Sequence, residues 1–232
     1  SSALAAVGIL ILARAVPNPP AHTVRGAEGI AVPALLGRAL KNLHLLRLNF
    51  AIFTLHLVLT ATFVAAPLVL EAAGKPSDSH WHYYLPVMLL AFVAMVPLMF
   101  VAERKRKVKA MLLLAVVMLI TSLVFLGAGQ GLGWQWLLAI FVFFTGFNLL
   151  EATLPSWLSK QAPAGSKGTA MGIYSTCQFL GASAGGFLGG YLVQQEGVSA
   201  VFLAAAAVCC LWLLVALFMQ SPQYLTSLTI AQ

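Results

Sequence analysis

Six times the chain runs for about 20 residues, the length that crosses a bilayer core as a helix, with almost no charge inside the run. The six stretches are Leu46–Leu70, Tyr83–Ala102, Lys109–Ala128, Trp134–Leu158, Thr169–Val193 and Val198–Met219. No water-soluble fold can bury all of them and still clothe its surface. The chain is 61% hydrophobic and only 8% charged, where a soluble domain carries about a quarter charged residues. In lipid each backbone N–H and C=O must be satisfied within the protein, so a run of this length is a helix unless it belongs to a closed barrel. The ten-residue alternation of a barrel is missing. The expected fold is an all-α polytopic membrane protein: six full transmembrane helices plus a truncated N-terminal helix.

That last element is Ala3–Val16, which is too short to span before Pro17. It lacks a basic leader region, its first charge being Arg14. Residues 1–16 therefore read as the tail of a longer helix, and the sequence as a fragment. Residues 17–45 read as a cytoplasmic linker, beginning with the extended, Pro-rich "VPNPPAHT". Within it, "PALLGRALKNLHLLRL" places Leu35, Leu36, Ala39, Leu40 and Leu43 on one helical face and Arg38, Lys41 and Asn42 on another. This pattern suits a helix lying in the headgroup region, the plainer alternative being a soluble linker helix. Residues 46–220 form the bundle, and residues 221–232 a cytoplasmic tail.

Basic residues orient the bundle. Arg14, Arg25, Arg38, Lys41, Arg47, Arg104, Lys105, Arg106, Lys107, Lys109, Lys160 and Lys167 fall on one side, and Lys75 alone on the other. The first side is expected to be cytoplasmic, as is the C-terminus. The net charge of +7 is thus a topology signal and implies no nucleic-acid partner. Trp81, Tyr83, Tyr84 and Trp134 fall at the opposite interface as an aromatic belt. "HWH" at His80–His82 sits in that belt and reads as an anchor rather than a metal site. Cys177, Cys209 and Cys210 lie in apolar runs and read as inert buried thiols. No metal and no cofactor is expected.

Polarity separates the spans. The third and sixth are almost uniformly apolar and are expected to face lipid. The first carries Asn49, Phe53, His56 and Thr60 on one face. The fourth carries Thr145, Asn148 and Glu151 within an arc of about 120°, and the fifth carries Tyr174, Ser175, Thr176, Gln178 and Ser183. Polar groups within a membrane usually face a bundle interior or a watery cavity. Asn49, Phe53, His56, Thr60, Thr145, Asn148 and Gln178 are therefore the expected substrate pathway, although a lone histidine such as His56 is as often a hydrogen-bonded core residue. The fifth span also holds two small-residue stripes, Gly181/Gly185/Gly189 and Gly186/Gly190. Either lets helix backbones approach closely, as a static contact or a sliding one.

Six spans, a basic linker before them and the basic loop "AERKRK" (Ala102–Lys107) resemble the C-terminal half of a major facilitator superfamily transporter. That loop lacks the glycine and full spacing of the family's motif. "FNLLEATLPSWLSKQAPAGSKGTAMGIYSTCQFLGASAGGFLGGYL" is more specific and resembles the drug–proton antiporter branch. "SPQYLTSLTI" (Ser221–Ile230) resembles a junction into a small cytoplasmic domain found in some inner-membrane members of that branch. The resemblance implies that the spans are helices 7 to 12 of twelve, with 7 and 10 on the cavity and 9 and 12 peripheral. It also implies a missing N-terminal six-helix half as partner, beside the bilayer, a small-molecule substrate and protons.

Glu151 lies roughly 13 Å along its helix from Lys160, inside the apolar zone but near the basic side. Pro155, four residues on, leaves the Glu151 carbonyl without its helical donor and is expected to bend the helix. Three roles compete for Glu151: a gate acid pairing with Arg104, Lys105 or Arg106 in one conformation, a proton carrier, and a permanently satisfied structural acid. The expected function is half of a proton-coupled exporter of small amphipathic molecules in a bacterial inner membrane, working by alternating access and catalysing no reaction. A non-transporting sensor or scaffold on the same fold is the alternative. A membrane enzyme is less favoured, because no HExxH, GxSxG or intramembrane Asp pair occurs.

Overall fold

The computed structural model describes residues 2–15, 33–129, 131–163 and 165–221. The "VPNPPAHT" stretch, Arg25 and the junction after Ser221 lie outside these residues. The described elements are α1 (Ser2–Ala15), α2 (Pro33–Lys41), α3 (Leu43–Ala72), α4 (Trp81–Arg104), α5 (Val108–Gly127), α6 (Trp134–Gln161), α7 (Lys167–Glu196) and α8 (Val198–Leu217), with a 3₁₀ turn at Ser77–Ser79. The six long helices, α3 to α8, match the six expected spans to within a few residues at each end. Five of them, all but α7, are long and apolar enough by themselves to cross a membrane. Helix α7 has the length, 30 residues, about 45 Å at the α-helical rise, but its glycines and polar side chains dilute its hydropathy.

Helix α7 lies along α3, the most extensive helix pairing in the bundle; α5 packs on α6 and α8, α4 on α6, and α8 also on α3. The single core runs through Leu48, Ile52 and Leu55 of α3, Leu112, Leu119 and Leu123 of α5, Phe143 and Trp157 of α6, and Phe202 and Trp212 of α8. The third and sixth spans each expose an apolar side, with Leu114, Val117 and Val124 on α5 and Leu203, Leu211 and Leu214 on α8, and bury the other. Helix α8 buries Val201, Phe202, Ala205, Ala206, Cys209, Trp212 and Ala216, and α5 buries nine residues. The most outward helix is α4, which buries four residues and exposes Leu85, Leu89, Leu90, Phe92 and Val93. Lipid tails are as apolar as leucine, so an all-apolar helix carries no mark of which face meets protein.

The linker helix is shorter than its periodicity suggests. The Asn42 side chain accepts from the backbone N–H of His44 at 3.0 Å and of Leu45 at 3.4 Å, capping α3 and ending α2 at Lys41. Ala39 packs inward, while Leu36 and Leu40 stay 45% and 47% exposed. Helix α1 packs against no other described element and exposes Val7, Ile9, Leu10 and Ile11.

Polar side chains pin the two ends of the bundle. At the basic end, Lys160 Nζ donates to both carboxylate oxygens of Glu103 at 3.0 and 2.9 Å. Arg47 donates to the Phe218 carbonyl at 2.6 Å, Lys109 to the Leu217 carbonyl at 2.8 Å, and Gln161 to the Gln220 carbonyl at 3.3 Å. Carbonyls at a helix C-terminus have no partner of their own and carry partial negative charge, so cations suit them. At the other end, His80 Nε2 bonds the Lys75 carbonyl at 3.1 Å, His82 Nδ1 bonds the Ser79 carbonyl at 3.1 Å, and Trp81 stacks on His82. Among the described residues no three His, Cys, Asp or Glu side chains gather as a metal set. Cys209 is buried and Cys177 half-buried, but Cys210 is exposed on the outer face of α8, against expectation.

Candidate functional site: a polar cluster on three helices

Helices α3, α6 and α7 each bring one polar side chain to a common point. Gln178 Nε2 lies 2.8 Å from His56 Nε2 and 3.4 Å from Glu151 Oε1. The second ring nitrogen of His56, Nδ1, lies 3.3 Å from the Ile52 carbonyl. A neutral imidazole protonated on Nδ1 satisfies both contacts: Nδ1–H donates to the carbonyl, and Nε2 accepts from the glutamine amide. Phe147 stands edge-on to the imidazole, with ring centroids 5.9 Å apart.

Glu151 is left half satisfied. Its side chain is 38% exposed and its Oε2 lies 3.8 Å from His56 Nε2. That oxygen is buried and has no hydrogen bond. An orphaned buried acceptor next to a basic nitrogen is costly as it stands and would be satisfied by one proton placed between them. Tyr174, one helical turn before Gln178, is buried, and its hydroxyl also has no partner.

Helix α7 reaches this point because its glycines admit α3. A Cβ on Gly181 would fall on the Phe53 carbonyl, and one on Gly185 on the Leu57 carbonyl and the Thr60 hydroxyl; one on Gly189 would sit 3.1 Å from Ala61 Cα. Thr60 donates to the Ala182 carbonyl at 2.8 Å across the same seam. Nothing lies within 4 Å of a Cβ added at Gly186 or Gly190. The two stripes therefore differ: one is a helix contact within this bundle, and the other meets no described residue.

The remaining expected site residues disperse. Phe53 sits half-exposed on the His56 face of α3, but Asn49 is 6% exposed and packs inside the bundle. Thr60 belongs to the α3–α7 seam. Thr145 is buried and bonds back to the Phe141 carbonyl at 2.8 Å. Asn148 is half-exposed on the face of α6 that carries Glu151. Helix α6 runs unbroken through Pro155. Glu151 meets His56 and Gln178, while Arg104 lies over the Phe100 ring, 5.2 Å from its centroid, and Lys105 is exposed. Arg106 turns the chain out of α4 with φ 53°. The residues missed by sequence reasoning are Glu103, hidden within a basic run, and Tyr174, noted for polarity but not placed at the site.

Comparison with known proteins agrees with this architecture. Residues 1–186 match the Major Facilitator Superfamily profile. The inner membrane transport protein YajR of Escherichia coli (strain K12) is 43% identical over 227 residues, which are 98% of this chain and 50% of that protein. An uncharacterized transporter of Buchnera aphidicola (subsp. Acyrthosiphon pisum) is 32% identical over 136 residues, 58% of this chain and 35% of that protein. The chain spans about half or less of the length of these relatives. The family profile covers most of this polytopic helical bundle, polar cluster included, and the chain belongs to the major facilitator superfamily.

Proposed function

We propose that this chain supplies six helices of a proton-coupled exporter of small amphipathic molecules. It works by alternating access in a bacterial inner membrane, with its C-terminus in the cytoplasm. The observation that carries this reading is the unpartnered Glu151 Oε2, 3.8 Å from His56 Nε2. An imidazole acceptor nitrogen becomes a donor when it takes up a proton. A proton arriving at His56 Nε2 removes the acceptor that the Gln178 amide uses and supplies the donor that Glu151 Oε2 lacks. Gln178 must then turn its amide or leave. One proton thus exchanges a bridged arrangement of α3, α6 and α7 for a direct His–Glu pair, and so ties protonation to helix position.

The missing N-terminal half covers the exposed faces of α4 and α7, including Leu89, Val93, Phe179 and Phe187. Phe53, His56, Asn148 and Gln178 then line the pathway between the halves. The Arg104–Arg106 cluster serves the cytoplasmic gate, with Glu103, paired to Lys160, as the acid at that end. Twelve of thirteen basic side chains on one side support the orientation.

Reconstitution of the complete transporter tests the coupling role. Glu151→Gln and His56→Gln should each abolish export of amphipathic dyes driven by a proton gradient, while dye exchange without a gradient persists. Gradient-driven export at the parent rate in both variants would refute it.

A further inference from the structure

At the basic end of the bundle the α2–α3 junction, the end of α6 and the chain leaving α8 enclose a cavity of about 230 Å³, lined by Asn42, His44, Lys160, Gln161, Gln220 and Ser221. Arg47 lies beside it, packed with His44, Gln161 and Gln220 around a second crevice too tight to hold water. No aspartate or glutamate is among the described lining residues, while the Lys160 ammonium is itself paired with Glu103 from α4. The lining supplies an ammonium, an imidazole, three side-chain amides and a hydroxyl, with a guanidinium beside them. Arg47 spends one N–H on the Phe218 carbonyl, which neutralises no charge.

The cavity opens beside α2. Along that helix and its junction, Leu36, Leu40 and Leu43 are exposed, and no described element covers them. An anion-binding pocket with an apolar shelf next to it has the two halves of an amphiphile's chemistry. We propose that this cavity binds the phosphate headgroup of an anionic phospholipid, with acyl chains lying against Leu36, Leu40 and Leu43. The shared chemistry is a phosphate ester, and the leucine shelf selects the lipid over a soluble phosphate. The leaflet rests on the orientation proposed above. Binding does not, so the test below can fail without touching the transport reading.

The bound lipid would bridge the end of α2, the start of α3, the end of α6 and the exit of α8. The collar of Arg47, Lys109 and Gln161 already ties carbonyls at and just beyond the end of α8 to α3, α5 and α6. A headgroup in the cavity adds a further tie between the two helices that carry His56 and Glu151.

Native mass spectrometry of the delipidated complete transporter supplies the test, titrated separately with phosphatidylglycerol, phosphatidylcholine and glycerol 3-phosphate. Phosphatidylglycerol should bind at least about fivefold more tightly than phosphatidylcholine, the factor that one basic side chain near a membrane surface contributes. Arg47→Gln combined with His44→Gln should bring the two lipids close to parity. Ser221→Glu breaks none of the contacts described here, so it guards against a folding artefact; it should remove the preference by adding a negative charge to the cavity. Leu36→Ser with Leu40→Ser should weaken both lipids alike and leave their ratio unchanged. Parity of the two lipids in the parent, or an undiminished preference in Ser221→Glu, would overturn the site. Glycerol 3-phosphate displacing the lipid at equal concentration would overturn the lipid assignment and give the site to a soluble phosphate.

Discussion

Gly185→Ala in the membrane-inserted protein tests the helix seam most directly. The added Cβ would overlap the Leu57 carbonyl and the Thr60 hydroxyl. The carbonyl belongs to the backbone of α3 and cannot rotate away, so α3 and α7 must separate. Overpacking of this kind costs about 1–3 kcal/mol. Separation also strains the Thr60–Ala182 hydrogen bond, and interhelical bonds within membranes average about 0.6 kcal/mol. Against both stands the better helix propensity of alanine, roughly 0.8–1.0 kcal/mol. The net expectation is destabilisation of about 2 kcal/mol, read as a shift in unfolding free energy by steric trapping in bicelles. The double variant with Thr60→Ala should show coupling of about 0.5–1 kcal/mol, because one of the two clashing atoms is then gone while the Leu57 carbonyl stays. A Gly185→Ala protein within about 0.5 kcal/mol of the parent, the size of an ordinary surface substitution, would show that the seam does not make this contact in the membrane.

Three further outcomes follow from burial and orientation. Cysteines placed at Phe53 and His56 should react with a polar maleimide in the membrane-inserted protein, and those at Asn49 and Leu55 should be protected; labelling at 49 and 55 equal to that at 53 would refute the assigned face of α3. Ala206 is 3% exposed, so Ala206→Leu should cost about 1–3 kcal/mol in the same unfolding assay, and a neutral result would mean that α8 turns this face to lipid. Lys105→Cys should be shielded from an impermeant reagent in intact cells while Asp78→Cys is labelled, and the reverse pattern would invert the topology.

Several features of this protein follow from composition and order along the chain alone. The bilayer sets a minimum apolar length and forbids unsatisfied backbone, so the number, type and approximate limits of the six long helices follow from hydropathy. The expected and observed limits of the Trp134 and Val198 helices begin at the same residue. Polar side chains inside such helices are expensive, so His56, Gln178 and Glu151 stand out as site candidates before any packing is known. The glycine stripe likewise marks a close approach, because only the absence of a Cβ allows it.

What tertiary structure decided is which of these residues meet. Pairing with the basic run on its own side of the membrane was one of three roles open to Glu151; in this arrangement the bundle places it against a histidine and a glutamine from two other helices. Sequence spacing locates a side chain on its own helix but carries nothing about the rotation of one helix against the next. Rotation likewise buries Asn49 and Thr145 and turns one face of α8 inward, which spacing alone does not show. Spacing also could not separate Gly185, pressed against α3, from Gly186, which meets no described residue. In water the hydrophobic effect writes the buried face of a helix into its sequence. In lipid both faces are apolar, and the choice between them is made by van der Waals fit and a few polar contacts, which exist only once the helices are packed.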